Sequence, residues 1–270
     1  MLVLVRGGGD IGSGVALRLY RAGLRVVIAE LPQPLAVRRL VCFSEAVYMG
    51  ETTVEGVIAH RVKDPLDTLR VLNVLSKQQI PVLIDPQAES IRALHPTVVV
   101  DARMIKQHVE LNREPVILLI GLGPGFMAGE NCHAVVETNR GFYMGRVIWQ
   151  GAPEDDTGVP EAIGKFQIER VLRAPADGIL QTHVEIGAVL NPGDLIAEVA
   201  GQPVTAGFRC VVRGLLRQEM AVTVGMKIGD LDPRADPRLC SLISDKSLAV
   251  GGGVLEAILS RPNLRPLLWT

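Results

Sequence analysis

The chain begins "MLVLVRGGGDIGSGVALRLYRAGLRVVIAE": an apolar run, three consecutive glycines, then apolar residues at helical spacing. That order commits the first 30 residues to a strand, a tight turn and a helix folded back on the strand. Ile11, Val15, Leu19 and Ala22 form the stripe with which such a helix would cover a sheet. A strand followed directly by a covering helix is the first half of a βαβ unit, and it calls for further parallel strands beside it.

The next hundred residues supply them. Apolar runs at residues 25–29, 56–62, 80–84, 97–100 and 116–120 alternate with helical patterns such as Leu66, Leu69, Val71, Leu72 and Leu75. The expected fold class is α/β, a Rossmann-like doubly wound and mainly parallel sheet over residues 1–165. Within it, residues 121–166 read as a trailing edge with short strands in "HAVVETN" and "GRVIWQG", then a polar linker.

From about residue 166 to 235 the pattern turns all-β. Residues 173–199 are echoed by 204–232, with Gly193 answering Gly225, which suggests two interlocked halves of a small sandwich. This segment resembles the barrel-sandwich hybrid of lipoyl and biotinyl carriers. Those carriers place a modified lysine in the hairpin joining the halves; here that hairpin is Ala200-Gly201-Gln202-Pro203 and has no lysine. Residues 236–270 read as a C-terminal helical segment in which Ser244 or Asp245 caps a face of Leu248, Val254, Leu255, Ile258 and Leu259.

Three glycine clusters compete as ligand sites. The first spells Gly7-x-Gly9-x-x-Gly12, follows a strand and opens a helix, as a dinucleotide fingerprint requires. Gly7, Gly8, Gly9, Asp10 and Gly12 are therefore candidate cofactor-binding residues, with Glu30, at the end of the second strand, expected to accept from a ribose 2′-hydroxyl. Asp10 is discordant, since a carboxylate in a phosphate loop repels its ligand unless it turns away. Arg38 and Arg39 could instead meet a 2′-phosphate, so NAD and NADP both stay open, as does another adenine or cytosine dinucleotide. The second cluster, Gly121-Leu122-Gly123-Pro124-Gly125, could form an anion-binding nest or simply a tight turn. The third, Gly251 to Gly253, has no strand before it and is read as helix packing.

Ligands of open parallel sheets lie outside the carboxyl ends of the strands. Those ends carry Asp85, Asp101 and Arg103 besides the glycines, and Asp101 with Arg103, Gly123 and Gly125 completes the candidate set. The Asp101–Arg103 pair could orient a phosphate or be a plain salt bridge. No catalytic residue is assigned.

With 28 Lys and Arg against 29 Asp and Glu, the charge is −1, which gives no field to gather nucleic acid or an anionic membrane. The four cysteines form no CxxC pair, and the five histidines show no HxxxH or HExxH spacing, so no metal site is expected. Cys132 and His133 are neighbours on opposite sides of an extended segment and do not form a thiolate–imidazole couple. No signal-peptide pattern or apolar stretch of about 18 residues is present, and a cytoplasmic location is expected.

Taken in order, "VRGGGDIGSGVALRLYRAG", "ELPQPLAVRR", "VVVDARM", "GLGPGF", "HAVVETNRG", "VLRAPADG", "GMKIGDLDPR" and "ISDKSLAVGGGVLEAIL" resemble the YqeB-type family of selenium-dependent molybdenum hydroxylase accessory proteins. The resemblance implies an accessory factor in maturation of a selenium-bearing molybdenum hydroxylase, which would be its partner; the matching segments are carried over as candidate sites only, and the first expectation is an adenine dinucleotide or a pterin-nucleotide cofactor at the glycine loop. The alternatives are an NAD(P)-dependent oxidoreductase and a scaffold whose nucleotide site has lapsed. The low charge permits a homo-oligomer.

Overall fold

Residues buried on both faces of a sheet are apolar without alternation, and "LVLV" is such a run. In the computed structural model, which describes residues 1–105, 107, 116–156, 158 and 162–268, it becomes β1 (Leu2–Arg6), with Val3, Leu4 and Val5 all buried. Eight more strands join it: β2 (Arg25–Glu30), β3 (Glu51–Val54), β4 (Val57–Val62), β5 (Ile80–Ile84), β6 (Val98–Asp101), β7 (Leu118–Leu122), β8 (Ala134–Val136) and β9 (Val147–Ile148). Their order is β3-β4-β5-β2-β1-β6-β7-β8-β9. All pairs from β4 to β8 are parallel, while β3 and β9 pair antiparallel at the two edges. The chain adds strands on one side of β1 and then, from β6, on the other, so the order reverses between β1 and β6.

Helices cover both faces. Leu4, Ala29, Val99, Leu119 and Val135 share one face with Ile91 of α4 (Ser90–Leu94). Val27 and Leu83 meet Val71 and Val74 of α3 (Thr68–Ser76), which follows a short α2 (Ala46–Met49). The other face receives α1 (Asp10–Arg21) and α5 (Asp245–Leu259), with Gly253 of α5 against Val136, the opposite side of β8 from Val135. The glycine stripes explain how closely α1 and α5 meet: a Cβ on Gly14 would lie 2.5 Å from Ser247 Cβ, and one on Gly251 2.9 Å from the Gly14 carbonyl oxygen. The third glycine cluster is a packing surface.

Two departures from the sequence reading concern α3 and the division of the chain. The helix buries Val71 and Val74 and leaves Leu69 and Leu72 exposed, Leu69 to 80%, while Leu66 lies exposed before its start. The chain divides into one unit of Met1–Pro34, Cys42–Asp156 and Ile243–Thr270 and another of Leu35–Val41 and Thr157–Leu242. The C-terminal helix thus belongs with the large sheet rather than forming a segment of its own from 236. Residues 35–41 belong with the second unit, where Leu215 N–H donates to the Val37 carbonyl at 2.8 Å.

The second unit holds two four-stranded antiparallel sheets. One is β10 (Val171–Arg173), β17 (Lys227–Asp232), β15 (Cys210–Leu215) and β12 (Val189–Leu190); the other is β14 (Gln202–Thr205), β13 (Leu195–Val199), β11 (Gly178–Thr182) and β16 (Ala221–Val222). Each sheet takes two strands from each half of the internal repeat. The halves are joined by Ala200 and Gly201, both at positive φ (51° and 73°), as a two-residue hairpin demands. No helix among the described residues is long and apolar enough to cross a membrane.

Candidate functional site

The glycine loop begins where β1 ends. Gly7 sits at φ +98°, and a Cβ there would lie 3.2 Å from the Ala102 carbonyl oxygen, so both the backbone and the neighbour exclude a side chain. A Cβ on Gly12 would overlap the Gly7 carbonyl, which is the close helix-on-strand approach. Gly8 is packed against Ile28 and the backbone of Ser44, with a Cβ position 3.0 Å and 3.1 Å from them.

Gly9 is different. Its φ of −72° suits any residue, nothing lies within 4 Å of its Cβ position, and it is the N-cap of α1 without any side-chain cap. The first N–H groups of a helix have no carbonyl partner within it. The N-terminus of α1, with its partial positive charge, therefore opens beside free space, an arrangement that suits an anion.

Asp10 turns out of this opening. Its Oδ1 accepts a 2.8 Å bond from the hydroxyl of Ser247, itself fully buried in the first turn of α5. The conflict between a carboxylate and a phosphate loop is resolved by directing the acid at the neighbouring helix.

Glu30 stands at the end of β2 as expected but faces inward. Only 9% exposed, it accepts from Gly8 N–H through Oε2 at 2.6 Å and from Leu31 N–H through Oε1 at 2.7 Å. Burial pushes its pKa up, and the two backbone bonds pull it down. Gly8 is held on its other side too, since its carbonyl accepts from Ser44 N–H at 3.0 Å and from Ser13 Oγ at 2.8 Å. The Ser44 hydroxyl beside it is fully buried and has no hydrogen-bond partner among the described residues.

Across the reversal point, Asp101 is paired in register with Arg6. Its fully buried carboxylate takes Nε and Nη2 of Arg103 at 2.9 Å and 2.6 Å, and Arg6 approaches at 3.4 Å. The bidentate clamp fixes Arg103 and, among the described residues, leaves its Nη1 without a bond. Arg103 Cα is 3.4 Å from the Gly7 Cβ position, so the loop, the clamp and the end of β2 gather on one edge.

Gly123 and Gly125 stand one strand further, after β7. Gly123 N–H donates to the Val136 carbonyl at 3.0 Å, and Asn131 closes the following turn by bonding the Gly125 carbonyl at 3.1 Å and accepting from Met127 N–H at 2.8 Å. This is a tied turn, with Gly123 N–H already engaged. Asp85 is a cap, accepting from Glu89 and Ser90 N–H at 2.9 Å each. Arg38 donates to the Leu239 and Leu242 carbonyls and Arg39 to that of Leu215, all within the second unit. Cys132 is buried, and burial pushes its thiol up to about 11, so it is no thiolate near neutrality. Among the described residues no three His, Cys, Asp or Glu side chains gather as a metal site.

Sequence reasoning missed one opening on the same edge. A cavity of about 480 Å³ after β4 is lined by His60, Arg61, Lys63, Asp67 and Arg70. Its cations come from a strand end and a helix start with no spacing that marks a motif.

No family model matches the sequence. The uncharacterized protein YqeB of Escherichia coli (strain K12) is 44% identical over 258 residues, which is 96% of this chain and 47% of that protein. The chain thus spans about half the length of the curated relative it matches. An aspartoacylase family protein from Mesorhizobium loti aligns over 85% of this chain and 83% of its own with a TM-score of 0.26 and 9% identity. What the comparisons establish is similarity to Escherichia coli YqeB along nearly the whole of this chain.

Proposed function

We propose that the chain is an accessory factor in maturation of a selenium-dependent molybdenum hydroxylase, and that its Rossmann-like unit holds a nucleotide-bearing cofactor by the diphosphate. The observation that carries the nucleotide half is Gly9: an uncapped 12-residue helix whose N-cap faces open space, after a strand at the reversal point of the sheet. Arg103, fixed by Asp101 and with Nη1 unbonded among the described residues, supplies a second donor for the same anion. The molybdenum half rests on the order of motifs that resemble the YqeB-type family. The second unit, in which each sheet mixes strands of both repeat halves, is a barrel-sandwich-like module without a carrier lysine in its joining hairpin; it would dock the partner or the cofactor.

The oxidoreductase alternative is disfavoured by the same geometry. Asp10, Glu30 and Asp101, the carboxylates in and beside the loop, are held by a hydroxyl, backbone N–H groups or arginines and are not poised to exchange a proton. A lapsed site is favoured by one observation, the engagement of Gly8 N–H by Glu30.

The maturation role is tested by purifying the molybdenum hydroxylase from cells with and without this protein and measuring its cofactor and selenium content. Loss of either, restored by the wild-type chain and not by Gly9→Val, is the expected result. Full cofactor and selenium without the protein would end the proposal.

A further inference from the structure

A dinucleotide site of this topology ordinarily tells one sugar from another at the end of the second strand, with an acid for the 2′-hydroxyl or an arginine for the 2′-phosphate. Both groups are present in this sequence and both are engaged elsewhere. We propose that Glu30 is a strut of the glycine loop rather than a reader of ribose, so that the crevice takes a nucleoside diphosphate without distinguishing 2′-hydroxyl, 2′-deoxy and 2′-phosphate sugars. The ligand half of this inference rests on the nucleotide reading above; the strut does not.

Glu30 bridges two backbone N–H groups, Gly8 of the loop at 2.6 Å and Leu31, next to it in sequence, at 2.7 Å. Rotating the carboxylate outward to meet a hydroxyl would leave Gly8 N–H buried and unbonded, and burial of the whole side chain opposes its swing into solvent. The Gly8 peptide is clamped from the other side by Ser44 N–H and Ser13 Oγ, and Ser13 Oγ in turn accepts from Phe43 N–H at 2.8 Å. The loop is thereby built in advance around the carboxylate. The two arginines that follow β2 are equally committed: Arg38 is buried on the carbonyls of Leu239 and Leu242, and Arg39 donates to Leu215 at 2.8 Å. Among the described residues of the loop and of the ends of β1, β2 and β6, what remains toward the ligand is the N-terminus of α1 and Arg103, and both address phosphate oxygens.

Two measurements on the full chain test this. The first is calorimetric titration with ADP against 2′-deoxy-ADP and with NAD against NADP at equal ionic strength. Affinities within about threefold in each pair are expected, and a discrimination of tenfold or more in either pair would overturn the proposal. The second is exchange of the Gly8 and Leu31 amide protons, followed by NMR without ligand, in wild type and Glu30→Gln. A glutamine keeps one acceptor and turns an NH₂ toward the other N–H, so exchange of one of the two should quicken by roughly tenfold or more. Unchanged exchange of both would overturn the strut. If no nucleotide binds while the exchange result holds, the nucleotide reading fails and Glu30 stands as a loop strut alone.

Discussion

Ser247 donates its hydroxyl to the Asp10 carboxylate at 2.8 Å, joining the first turn of α5 to the first turn of α1 across 237 residues of sequence. This bond keeps an acid inside a glycine loop from facing the opening. Ser247→Ala should lower the unfolding free energy by about 1 kcal/mol, the ordinary net worth of such a bond, in a chemical denaturation experiment. A variant as stable as wild type would show that the hydroxyl does not hold Asp10.

The α1–α5 contact is fixed by glycines that are not equivalent. Gly14→Ala drives a Cβ to 2.5 Å from Ser247 Cβ and 2.8 Å from its backbone, which should destabilise by about 1–3 kcal/mol through overpacking. Gly252 has nothing within 4 Å of its Cβ position, so Gly252→Ala should stabilise by up to about 1 kcal/mol through helix propensity. Denaturation midpoints of the two variants should therefore move in opposite directions.

Asp101 is fully buried between Arg6 and Arg103. Asp101→Ala leaves two guanidinium groups without their acid and should cost about 3 kcal/mol or more, as removal of one partner of a buried pair does. A loss below about 1 kcal/mol would place the pair among ordinary surface bridges.

Asp245 in the first turn of α5 is bonded by both terminal nitrogens of Arg140, at 2.6 Å and 2.7 Å. That bond, with the helix N–H groups, lowers its pKa from 3.8 to about 2. A depressed acid contributes stability that is present above its unfolded pKa and is lost as pH falls through the folded one. The melting-temperature gap between wild type and Asp245→Asn should thus be widest above pH 4 and close as pH approaches 2. A gap constant over that window would show that Asp245 gains nothing from Arg140.

Most of the large sheet was legible because its strands are buried on both faces, so apolar runs mark them directly. β3 was not, because "ETTV" is an edge strand whose exposed side carries polar residues. α3 shows the limit of periodicity: Leu69 and Leu72 make as good a pair as Val71 and Val74, and only the direction in which the helix meets β4 and β5 selects the buried one. In the candidate site, the glycine spacing located the loop and the sequence placed Glu30 at the right strand end. The direction of its carboxylate was not legible, since it depends on Gly8 N–H, 22 residues away in sequence. Arg38 and Arg39 were misplaced for a similar reason, because residues 35–41 fold with strands more than 170 residues later.

Gly9→Val separates a diphosphate held at the N-terminus of α1 from a loop that only packs. The substitution puts a branched side chain into the open space at the N-terminus of α1, at a backbone angle of −72° that valine adopts freely and with no neighbour within 4 Å to disturb. Calorimetric titration of NAD, ADP and molybdopterin cytosine dinucleotide should show binding to wild type by at least one of them. Its affinity should fall tenfold or more in the variant, while the ligand-free protein stays folded and loses no more than the ~1 kcal/mol that an apolar residue costs at an N-cap. Equal affinity in both proteins, or no binding to wild type by any of the three, would contradict a diphosphate held at this loop.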